Sequence, residues 1–408
     1  MIELEYFNFH KHTHYSNLRT LDCVVKPEDY CKRAKELGHT AYFTTEHGYT
    51  GNVFEANTLC NKYGLKLIVG AEVYFVPDRK EKDNRNYHLI VIALNQDGYK
   101  DLNKMLSSAN VDGFYYKPRV DFDLLLKLNP NNVIVTSACV GGIVRDNNME
   151  TVKWLNILKN HFGKNFFLEV QCHTHKVQIE HNKKILKFSR ELGIDIIHAN
   201  DSHYITEKDA EYRDLFLYAK GIRYEEEEGF VLDYPTYNEI CNRYYEQGVL
   251  TKEEMLRALN NTRVFEKCEK LDINYDIKLP KVSDNPTEEL KSIIRNAWIY
   301  ERQFIPREEW QDYLEAIRYE MDIIEKTGME NYFILDNKIV QRGVQKYGGV
   351  LTRTGRGSAP SFYITKLLGL TDIDRLSSPI TLYPTRFMST TRILQTKSLP
   401  DKQNCRLA

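Results

Sequence analysis

Two histidines separated by one residue, His10 and His12, stand close to the N-terminus in the run FHKHTHYS. Side chains alternate along an extended strand, so both imidazoles would point to the same face. Neighbouring imidazoles on one face are a ready pair of metal ligands. Taken alone, the pair is equally compatible with packed or exposed histidines. All 12 histidines lie between His10 and His203, so any imidazole chemistry belongs to the N-terminal half.

Further candidate ligands follow along the chain, most of them at the ends of strand-like runs. Together with the first two histidines the set has nine members, and the others are Asp22, His47, Glu72, His88, Cys139, Asp201 and His203. Asp22 lies in a loop after the first strand. His88 is an exception that the pattern does not explain, because it lies near the start of its run.

A set of nine nitrogen, oxygen and sulfur ligands exceeds the needs of one ion, because zinc in proteins is usually bound by about four. The mixture suits zinc, manganese or iron better than magnesium or calcium, which prefer oxygen. Two or three divalent ions would polarise a phosphoryl group and lower the pKa of a bridging water. The spacing therefore indicates a polynuclear hydrolase site.

Other polar residues near these positions have simpler explanations. The run CHTH at 172–175 could bind a metal, but a polar loop at the rim of a pocket explains it better. His14 is expected to pack beside the site, and His198 lies within an apolar run, which is typical of a hydrogen-bonded core residue. Glu46 stands beside His47 and could orient that imidazole as an outer carboxylate.

A repeated order of strand, polar residue and helix organises the N-terminal half. Strands are predicted at 40–45, 66–69, 87–94, 133–136, 165–171 and 195–199, and helices at 27–37, 52–63 and 178–192. Such a repeat is typical of an α/β barrel or a doubly wound sheet. In barrels the functional groups lie at the C-terminal ends of the strands, where most of the candidates fall.

Length and composition limit the classes of protein that remain. A chain of 408 residues favours two domains, and a net charge of −1 argues against a molecule that binds polyanions over its whole surface. No apolar run approaches about 18 residues, so no membrane span is expected. The N-terminus has no signal pattern, which predicts a cytoplasmic protein. The eight cysteines are scattered, so reduced thiols are expected.

The second half is predicted to be mainly helical. A linker-like SDNP stretch ends the first part, so the predicted domains are residues 1–283 and 284–408. Helices are predicted at 287–303, 307–327 and 331–347. The acidic run at 225–228 is interpreted as a solvated face.

The motifs of the N-terminal half resemble those of the PHP (polymerase and histidinol phosphatase) domain, because HKH, TEHG, GAE, YH, TSAC and NDSH occur in that order. The runs KPRVD and LEVQ are similar to the flanking sequences in bacterial replicative DNA polymerase III α subunits. The resemblance implies a distorted (β/α)7 barrel with two or three divalent ions, Zn²⁺, Mn²⁺ or Fe²⁺. It implies that all nine candidates are ligands, that Glu72 bridges two ions, and that Asp22, His47 and His203 hold the third.

Residues 330–374 are similar to the start of the polymerase palm of the same family, and residues 284–408 as a whole resemble the opening of its thumb and palm. There the glycine-rich turn contacts the triphosphate of the incoming nucleotide, and the corresponding residues here are Gly355, Arg356, Gly357 and Ser358. Glycine lets backbone N–H groups approach phosphate, and arginine adds positive charge. Asp372 and Asp374 are expected to be structural.

The polymerase site itself is expected to be incomplete. The family's catalytic motif is Pro-Asp-hydrophobic-Asp-hydrophobic-Asp and binds Mg²⁺, whereas this chain reads LPDKQNC. Asp401 corresponds to the first catalytic carboxylate, but a two-metal site needs at least two converging carboxylates. Polymerisation by this chain alone is therefore not expected.

The resemblance implies a metal-dependent 3′–5′ exonuclease or phosphodiesterase that acts on a DNA primer 3′ end. In an intact relative it would accompany DNA replication, with deoxynucleoside triphosphates and holoenzyme subunits as partners. Two alternatives stay open: a metal-stabilised, non-catalytic scaffold for the polymerase or a proofreading partner, and a small-molecule phosphatase of the histidinol-phosphate type. The polymerase-like C-terminal segment argues against the phosphatase.

Overall fold

A computed structural model describes residues 6–146, 148–223, 229–276, 278–351 and 357–398. The chain divides into two compact units, residues 1–273 and 274–408. The domain boundary predicted from the sequence lies a little further along the chain, before the first helix of the second unit, and the assignment of the two domains stays a prediction.

Helices alternate with strands through most of the first unit. Its strands are β1 (Ala41–Thr44), β2 (Lys66–Phe75), β3 (Tyr87–Ala93), β4 (Phe114–Tyr115), β5 (Lys117–Val120), β6 (Val133–Thr136), β7 (Phe166–Gln171) and β8 (Ile196–Ala199). Its helices are α1 (Pro27–Glu36), α2 (Val53–Tyr63), α3 (Gln96–Val111), α4 (Phe122–Leu125), α5 (Met149–Phe162), α6 (Lys176–Leu192), α7 (Ala210–Lys220), α8 (Tyr237–Gln247) and α9 (Lys252–Asn261). Every strand and helix predicted in this half has a counterpart, but β2 continues well past its predicted end.

The eight strands form one sheet in the order β4-β5-β2-β3-β6-β7-β8, with β1 paired to β2. The pairs β2–β3, β3–β6 and β4–β5 are antiparallel, and the others are parallel. Six strands therefore run in one direction, and only β3 and β4 run in the other. The start of β3 consequently lies at the same edge of the sheet as the ends of its two neighbours.

The predicted α/β class is confirmed, but the sheet is a curled half-barrel of eight strands rather than a seven-stranded barrel. Among the described residues no strand pair joins β4 to β8. The segment around Lys11 lies between the ends of β8 and β1 instead: His12 N donates to Ser202 O at 2.9 Å, and Lys11 N donates to Thr45 Oγ1 at 3.0 Å. This segment makes a single bridge and is not the strand that was predicted.

The pleat of the sheet separates two buried apolar clusters. Val69 and Val91 belong to the larger cluster, which includes residues of the surrounding helices. Ile68 and Ile90 belong to the smaller cluster, together with Phe9 and other aromatic side chains. Because side chains alternate along a strand, polar residues at the ends of β2 and β3 share the face of the smaller cluster. That face is apolar at one end and polar at the other.

The second unit is mainly helical, as predicted. Its helices are α10 (Pro286–Glu301), α11 (Trp310–Thr327), α12 (Glu330–Tyr347), α13 (Tyr363–Leu367) and α14 (Thr390–Ser398). They pack around a separate apolar cluster that includes Trp298, Phe333 and Phe362. In the described residues of either unit, no helix combines the length and the apolar character needed to cross a bilayer.

Two acidic side chains, the buried Glu320 and the half-buried Asp374, organise part of the second unit. Glu320 accepts hydrogen bonds from Tyr363 N at 3.0 Å and Arg375 Nε at 2.7 Å. Asp374 accepts a hydrogen bond from Tyr313 Oη at 2.8 Å, which supports the structural role expected for the TDID run. Of the predicted nucleotide-binding turn only Gly357 and Ser358 are described. The predicted Gly355, Arg356 and Asp401, like the acidic run 225–228, lie outside the described residues.

Gly98, in the first turn of α3, packs against the loop before β6. A Cβ at this position would lie 2.0 Å from the backbone oxygen of Asn132. We expect Gly98→Ala to lower the free energy of unfolding by about 1–3 kcal/mol, because overpacking forces the backbone to move. Chemical denaturation measures this change. The matched variant Gly343→Ala, where a Cβ meets open space in α12, should be neutral or stabilising. A Gly98→Ala protein as stable as the parent would contradict this packing.

Candidate metal centre

All nine side chains predicted from the sequence meet at one edge of the curled sheet. Their ligand atoms form four overlapping groups, and within each group the atoms lie within 4.8 Å of one another. The groups are His10, His12, Glu72 and Asp201; Glu72, His88 and Cys139; His12, His47 and His203; and Asp22, Cys23 and His203. Cys23 is the one member that the sequence did not suggest.

The first group has the spacing of ligands around a tetrahedral ion. His10 Nε2 lies 3.0 Å from Glu72 Oε2 and 3.2 Å from Asp201 Oδ1. His12 Nε2 lies 3.2 Å from Asp201 Oδ1 and 3.6 Å from Glu72 Oε2. Two atoms bonded to a tetrahedral ion at about 2.0–2.1 Å are about 3.3–3.4 Å apart. His12 Nε2 and Asp201 Oδ1 are buried and make no hydrogen bond, so both atoms fit a role as ligands.

The second group uses the other oxygen of Glu72. Its Oε1 lies 3.0 Å from His88 Nδ1, and Cys139 Sγ lies 3.7 Å from the same nitrogen. Ligands that combine a thiolate at about 2.3 Å and an imidazole at about 2.0 Å are about 3.6 Å apart around a tetrahedral ion. The carboxylate of Glu72 therefore serves two groups, which is the geometry of a bridging ligand.

Asp22 joins the two remaining histidines. Its Oδ2 lies 3.3 Å from His47 Nε2 and 3.4 Å from His203 Nε2. His47 Nδ1 lies 2.9 Å from Glu72 Oε1, so this ring links the third group to the bridging carboxylate. The long loop before Asp22 thus places the Asp22 carboxylate beside His47 and His203, the set that the resemblance implied for the third ion.

Strained backbone accompanies two of the ligand-bearing turns. Among the described residues only Tyr116, Ala138 and Asp201 combine a side chain with a positive φ. Ala138 (φ 57°) precedes Cys139 at the end of β6, and Asp201 (φ 53°) follows β8. This conformation is costly for residues other than glycine and persists where surrounding contacts enforce it. The strain turns the chain so that the ligand side chains enter the centre.

The buried carboxylates and imidazoles of the centre lie beside one another as oppositely charged pairs. Burial alone would lower the pKa of His10, but the carboxylates of Asp201 and Glu169 raise it well above its usual value. Burial would also lower the pKa of His47, but Tyr74 and the carboxylates of Glu72 and Asp22 raise it well above its usual value. Burial would raise the pKa of Glu72, yet His88 and the other imidazoles hold it well below its usual range. The neighbouring charges therefore favour the protonated forms of His10 and His47, which would bind a metal as neutral rings.

Glu169 is a contributor that the sequence did not reveal. It lies on β7 and is 1% exposed. Its Oε2 lies 2.9 Å from His10 Nδ1, and its Oε1 accepts a hydrogen bond from the hydroxyl of Thr136. A carboxylate behind a ligand imidazole fixes the tautomer and the ring orientation. The signal available in the sequence for Glu169 was a single acidic residue inside the apolar run FFLEVQ.

Glu46 has partners different from the predicted one. Its carboxylate accepts hydrogen bonds from Thr13 Oγ1 at 2.7 Å and from Ser16 Oγ at 2.5 Å. Glu46 and His47 are both described, and no hydrogen bond joins the carboxylate to the ring. Ser16 Oγ lies 3.3 Å from His12 Nδ1. Glu46 therefore contacts His12 through Ser16. Hydrogen bonds from Thr13, Ser16 and Asn52 occupy both of its carboxylate oxygens.

The remaining histidines stay outside the ligand groups found among the described residues. The ring of His173 packs on Phe230 with its centroid 5.2 Å away, and that of His175 does so at 4.9 Å. His198 Nδ1 lies 2.8 Å from Tyr244 Oη in the core, as predicted. His14 is exposed.

A cavity of about 680 Å³ opens onto the centre. Its described acidic lining residues, Asp22, Glu72 and Asp201, all belong to the nine predicted ligands. Four basic side chains line the same cavity, namely Arg85, Lys117, Arg145 and Arg223. Metal ions bound by the carboxylates would leave the mouth of the cavity positively charged. Donor set, spacing and charge together suit divalent metal ions.

Comparison with protein families defines the class of the chain. Residues 8–173 match the PHP domain. Residues 287–401 match the family described as the bacterial DNA polymerase III alpha NTPase domain. The resemblance predicted from the motifs is confirmed: the first part of the chain matches the PHP domain, and the second part matches a domain of bacterial DNA polymerase III alpha subunits.

Among curated proteins the relatives carry one name. The chain is 30% identical to the DNA polymerase III subunit alpha of Borreliella burgdorferi over 97% of its own length and 34% of the relative. It is 28% identical to the same subunit of Aquifex aeolicus, over 97% of the chain and 36% of the relative. The chain thus spans about a third of the length of these relatives.

A solved structure described as a metal-dependent phosphoesterase, from Bifidobacterium adolescentis, is 16% identical and superposes with a TM-score of 0.33. It covers 58% of this chain and 95% of that protein. A likeness of this size supports no conclusion about the activity of the chain.

We expect Glu169→Gln to weaken divalent-metal binding about 10–100-fold, because the charge that orients and polarises His10 is lost. Calorimetric titration of the metal-free protein with Zn²⁺ measures the change. Glu253→Gln, an exposed substitution in the first turn of α9, is the matched control and should bind like the parent. Equal affinities of the two variants would contradict a role for Glu169 in the centre.

Metal affinity should rise with pH. The pKa values of His10, His47 and His203 are raised in the metal-free protein, so protons compete with the metal until the pH exceeds those values. Metal binding must release these protons. Zn²⁺ titrations in buffers of different ionisation enthalpy measure the number released. We expect at least about one proton per ion near neutral pH, and a pH-independent affinity would contradict the paired-charge description.

Proposed function

We propose that the first unit is a metal-dependent phosphodiesterase that removes nucleotides from a DNA 3′ end, as a 3′–5′ exonuclease. The observation that carries the proposal is the complete set of nine ligand side chains, His10, His12, Asp22, His47, Glu72, His88, Cys139, Asp201 and His203, with separations that suit two or three divalent ions. Zn²⁺, Mn²⁺ and Fe²⁺ match this mixture of nitrogen, oxygen and sulfur.

The arrangement of the ligands supports hydrolysis of a phosphate ester. Divalent ions held side by side polarise a phosphoryl group and activate water. Glu72 would set the distance between two of them, because its oxygens face His10 on one side and His88 on the other at 3.0 Å each. Glu169 would hold His10 in the tautomer that presents Nε2 to the ion.

The mouth of the cavity supports an anionic substrate. Lys117 Nζ donates to Thr20 Oγ1 at 2.7 Å, which holds the ammonium beside the Asp22 loop. Arg145 lies over the ring of Tyr87, with the guanidinium carbon 4.6 Å from the centroid. The loop that carries Arg85 is held by Arg119, whose guanidinium donates to Glu81 O at 2.5 Å. These positions suit contacts to successive phosphates of a polynucleotide.

Exposed aromatic side chains beside the cavity support a single-stranded end. Phe114 is 51% exposed and Tyr116 is 74% exposed, on the β4–β5 hairpin that continues directly into Lys117. Arg19 lies over the ring of Phe114, with its guanidinium carbon 5.6 Å from the centroid. Aromatic rings next to cationic groups are the usual platform for unpaired bases. A small-molecule phosphatase has no use for such a platform.

The proposal for the wider role is supported by the relatives, which are named DNA polymerase III subunit alpha. We propose that residues 1–283 form the PHP phosphoesterase domain and residues 284–408 part of a polymerase thumb and palm, in a cytoplasmic DNA replication protein. Mg²⁺, deoxynucleoside triphosphates and holoenzyme subunits would be the partners of the whole protein. Gly355 to Ser358 would then contact the nucleotide triphosphate, and Asp401 would be one of several catalytic carboxylates.

The proposed nuclease activity can be tested with a matched pair of histidine variants. His12→Ala removes a buried ligand, whereas His14→Ala removes an exposed imidazole two residues away. On a 3′-labelled single-stranded oligonucleotide with Mn²⁺ or Zn²⁺, we expect His14→Ala to act like the parent. His12→Ala should lose at least about 10²-fold in rate, because one ion loses its site.

Equal, slow degradation by the parent and His12→Ala would contradict the nuclease proposal. If His12→Ala then also lowered the melting temperature, the metals would support a scaffold rather than chemistry. Faster turnover of histidinol phosphate than of the oligonucleotide would point to the small-molecule phosphatase instead. Elemental analysis of the purified protein is the common control, since near-zero metal content contradicts every metal-dependent function.

A further inference from the structure

We propose that Cys23 is a tenth ligand of the centre, which joins Asp22 and His203 and makes this position select zinc. The inference rests on the proposed metal centre and concerns a residue outside the predicted ligand set. A thiolate is a soft ligand that zinc accepts readily and manganese does not. Asp22, Cys23 and His203 would supply three of the about four bonds that zinc forms in proteins.

The position of Cys23 carries this inference. Its side chain is 1% exposed, and Sγ lies 3.0 Å from Asp22 Oδ1. The ligand atoms of Asp22, Cys23 and His203 all lie within 4.8 Å of one another. The other oxygen of Asp22 faces His47 and His203 at 3.3 and 3.4 Å. The thiol therefore stands on the side of the carboxylate that the two imidazoles leave open.

The loop that carries Asp22 and Cys23 is held rigidly in place. Asn17 Oδ1 accepts hydrogen bonds from Asp22 N at 3.1 Å and from Cys23 N at 3.0 Å, and Asn17 Nδ2 donates to Cys23 O at 2.7 Å. Arg213 Nε donates to Asp22 O at 2.8 Å. A loop fixed by four hydrogen bonds presents two adjacent side chains without a further entropic cost on binding.

A second observation points to a ligand in the same space. His12 Nε2 is buried, makes no hydrogen bond and groups with the ligand atoms of His47 and His203. Its nearest carboxylate oxygen, Asp201 Oδ1, lies 3.2 Å away without forming a hydrogen bond. A buried polar atom without a hydrogen bond is unfavourable unless something binds it. The space shared by these imidazoles and the Asp22 loop is therefore a site for a cation.

The simpler explanation is that the Cys23 thiol only donates a hydrogen bond to Asp22 and steadies it. A thiol is a weak donor, and serine would perform this role equally well. Metal binding requires a thiolate instead of a thiol. The S–H proton leaves to solvent, and a sulfur electron pair forms the bond to the ion. The two roles are therefore separated by the appearance of a metal–thiolate bond.

Cobalt spectroscopy on the full chain tests this bond. Cobalt(II) replaces zinc at such sites and gives a thiolate-to-metal charge-transfer band in the near ultraviolet. Cys139 would contribute its own band, so the test uses Cys139→Ser as the background. We expect the cobalt-loaded Cys139→Ser protein to keep a charge-transfer band, and the double variant Cys23→Ser, Cys139→Ser to lose it. A Cys139→Ser protein that binds cobalt without any such band would overturn the inference.

Metal competition provides a second readout in the otherwise unchanged protein. Cys23→Ser should lose the preference for Zn²⁺ over Mn²⁺ at one ion per chain. Cys60→Ser, at a buried cysteine that belongs to none of the ligand groups found among the described residues, should keep it. Retained preference in Cys23→Ser would overturn the inference. If the serine variant does not fold, Cys23→Ala replaces it in the competition experiment, and its melting temperature shows whether it is folded. Absence of cobalt binding in the parent would contradict the metal centre itself, a result distinct from failure of the Cys23 inference.

Discussion

The carboxylate of Glu72 is the interaction on which the first unit depends. It is 1% exposed, and three imidazoles surround it, with His10 at 3.0 Å, His47 at 2.9 Å and His88 at 3.0 Å. A buried carboxylate is very unfavourable unless it is paired. The N-terminal segment, the turn after β1 and the start of β3 must therefore converge on β2. The curl of the sheet brings these segments together over one apolar face.

Charge compensation also explains why fold and metal binding are linked. Burial alone would raise the pKa values of Asp22 and Asp201, but neighbouring histidines lower them and keep both carboxylates ionised. Each charge in the centre is satisfied by a partner from another segment of the chain. Divalent ions would replace the protons on the imidazoles and meet the same carboxylates. A cluster of this kind stabilises the fold with either proton or metal, but only the metal-loaded form can activate water.

Sequence reasoning succeeded where the signal is local. The spacing of His10 and His12, and the polar residues after apolar runs, identified side chains that the structure brings to one edge. It failed where a partner comes from another strand. Glu169 looked like an isolated acid in β7, and Glu46 was assigned to the ring of its neighbour. Which atom a carboxylate meets depends on the register of strands far apart in sequence, and a single sequence does not contain that register.

His88 separates what the sequence determined from what only the tertiary structure decided. Residue types, strand alternation and helical periodicity were sufficient for the α/β class, the helical second unit and the chemistry of the ligand set. The sequence did not determine the direction of β3, because a strand has the same hydrophobic pattern whichever way it runs. Antiparallel pairing of β3 with β2 sets Tyr74 opposite His88, so the start of one strand lies beside the end of another. The ligand that broke the sequence pattern therefore reaches the centre through pairing, which is a property of the folded sheet alone.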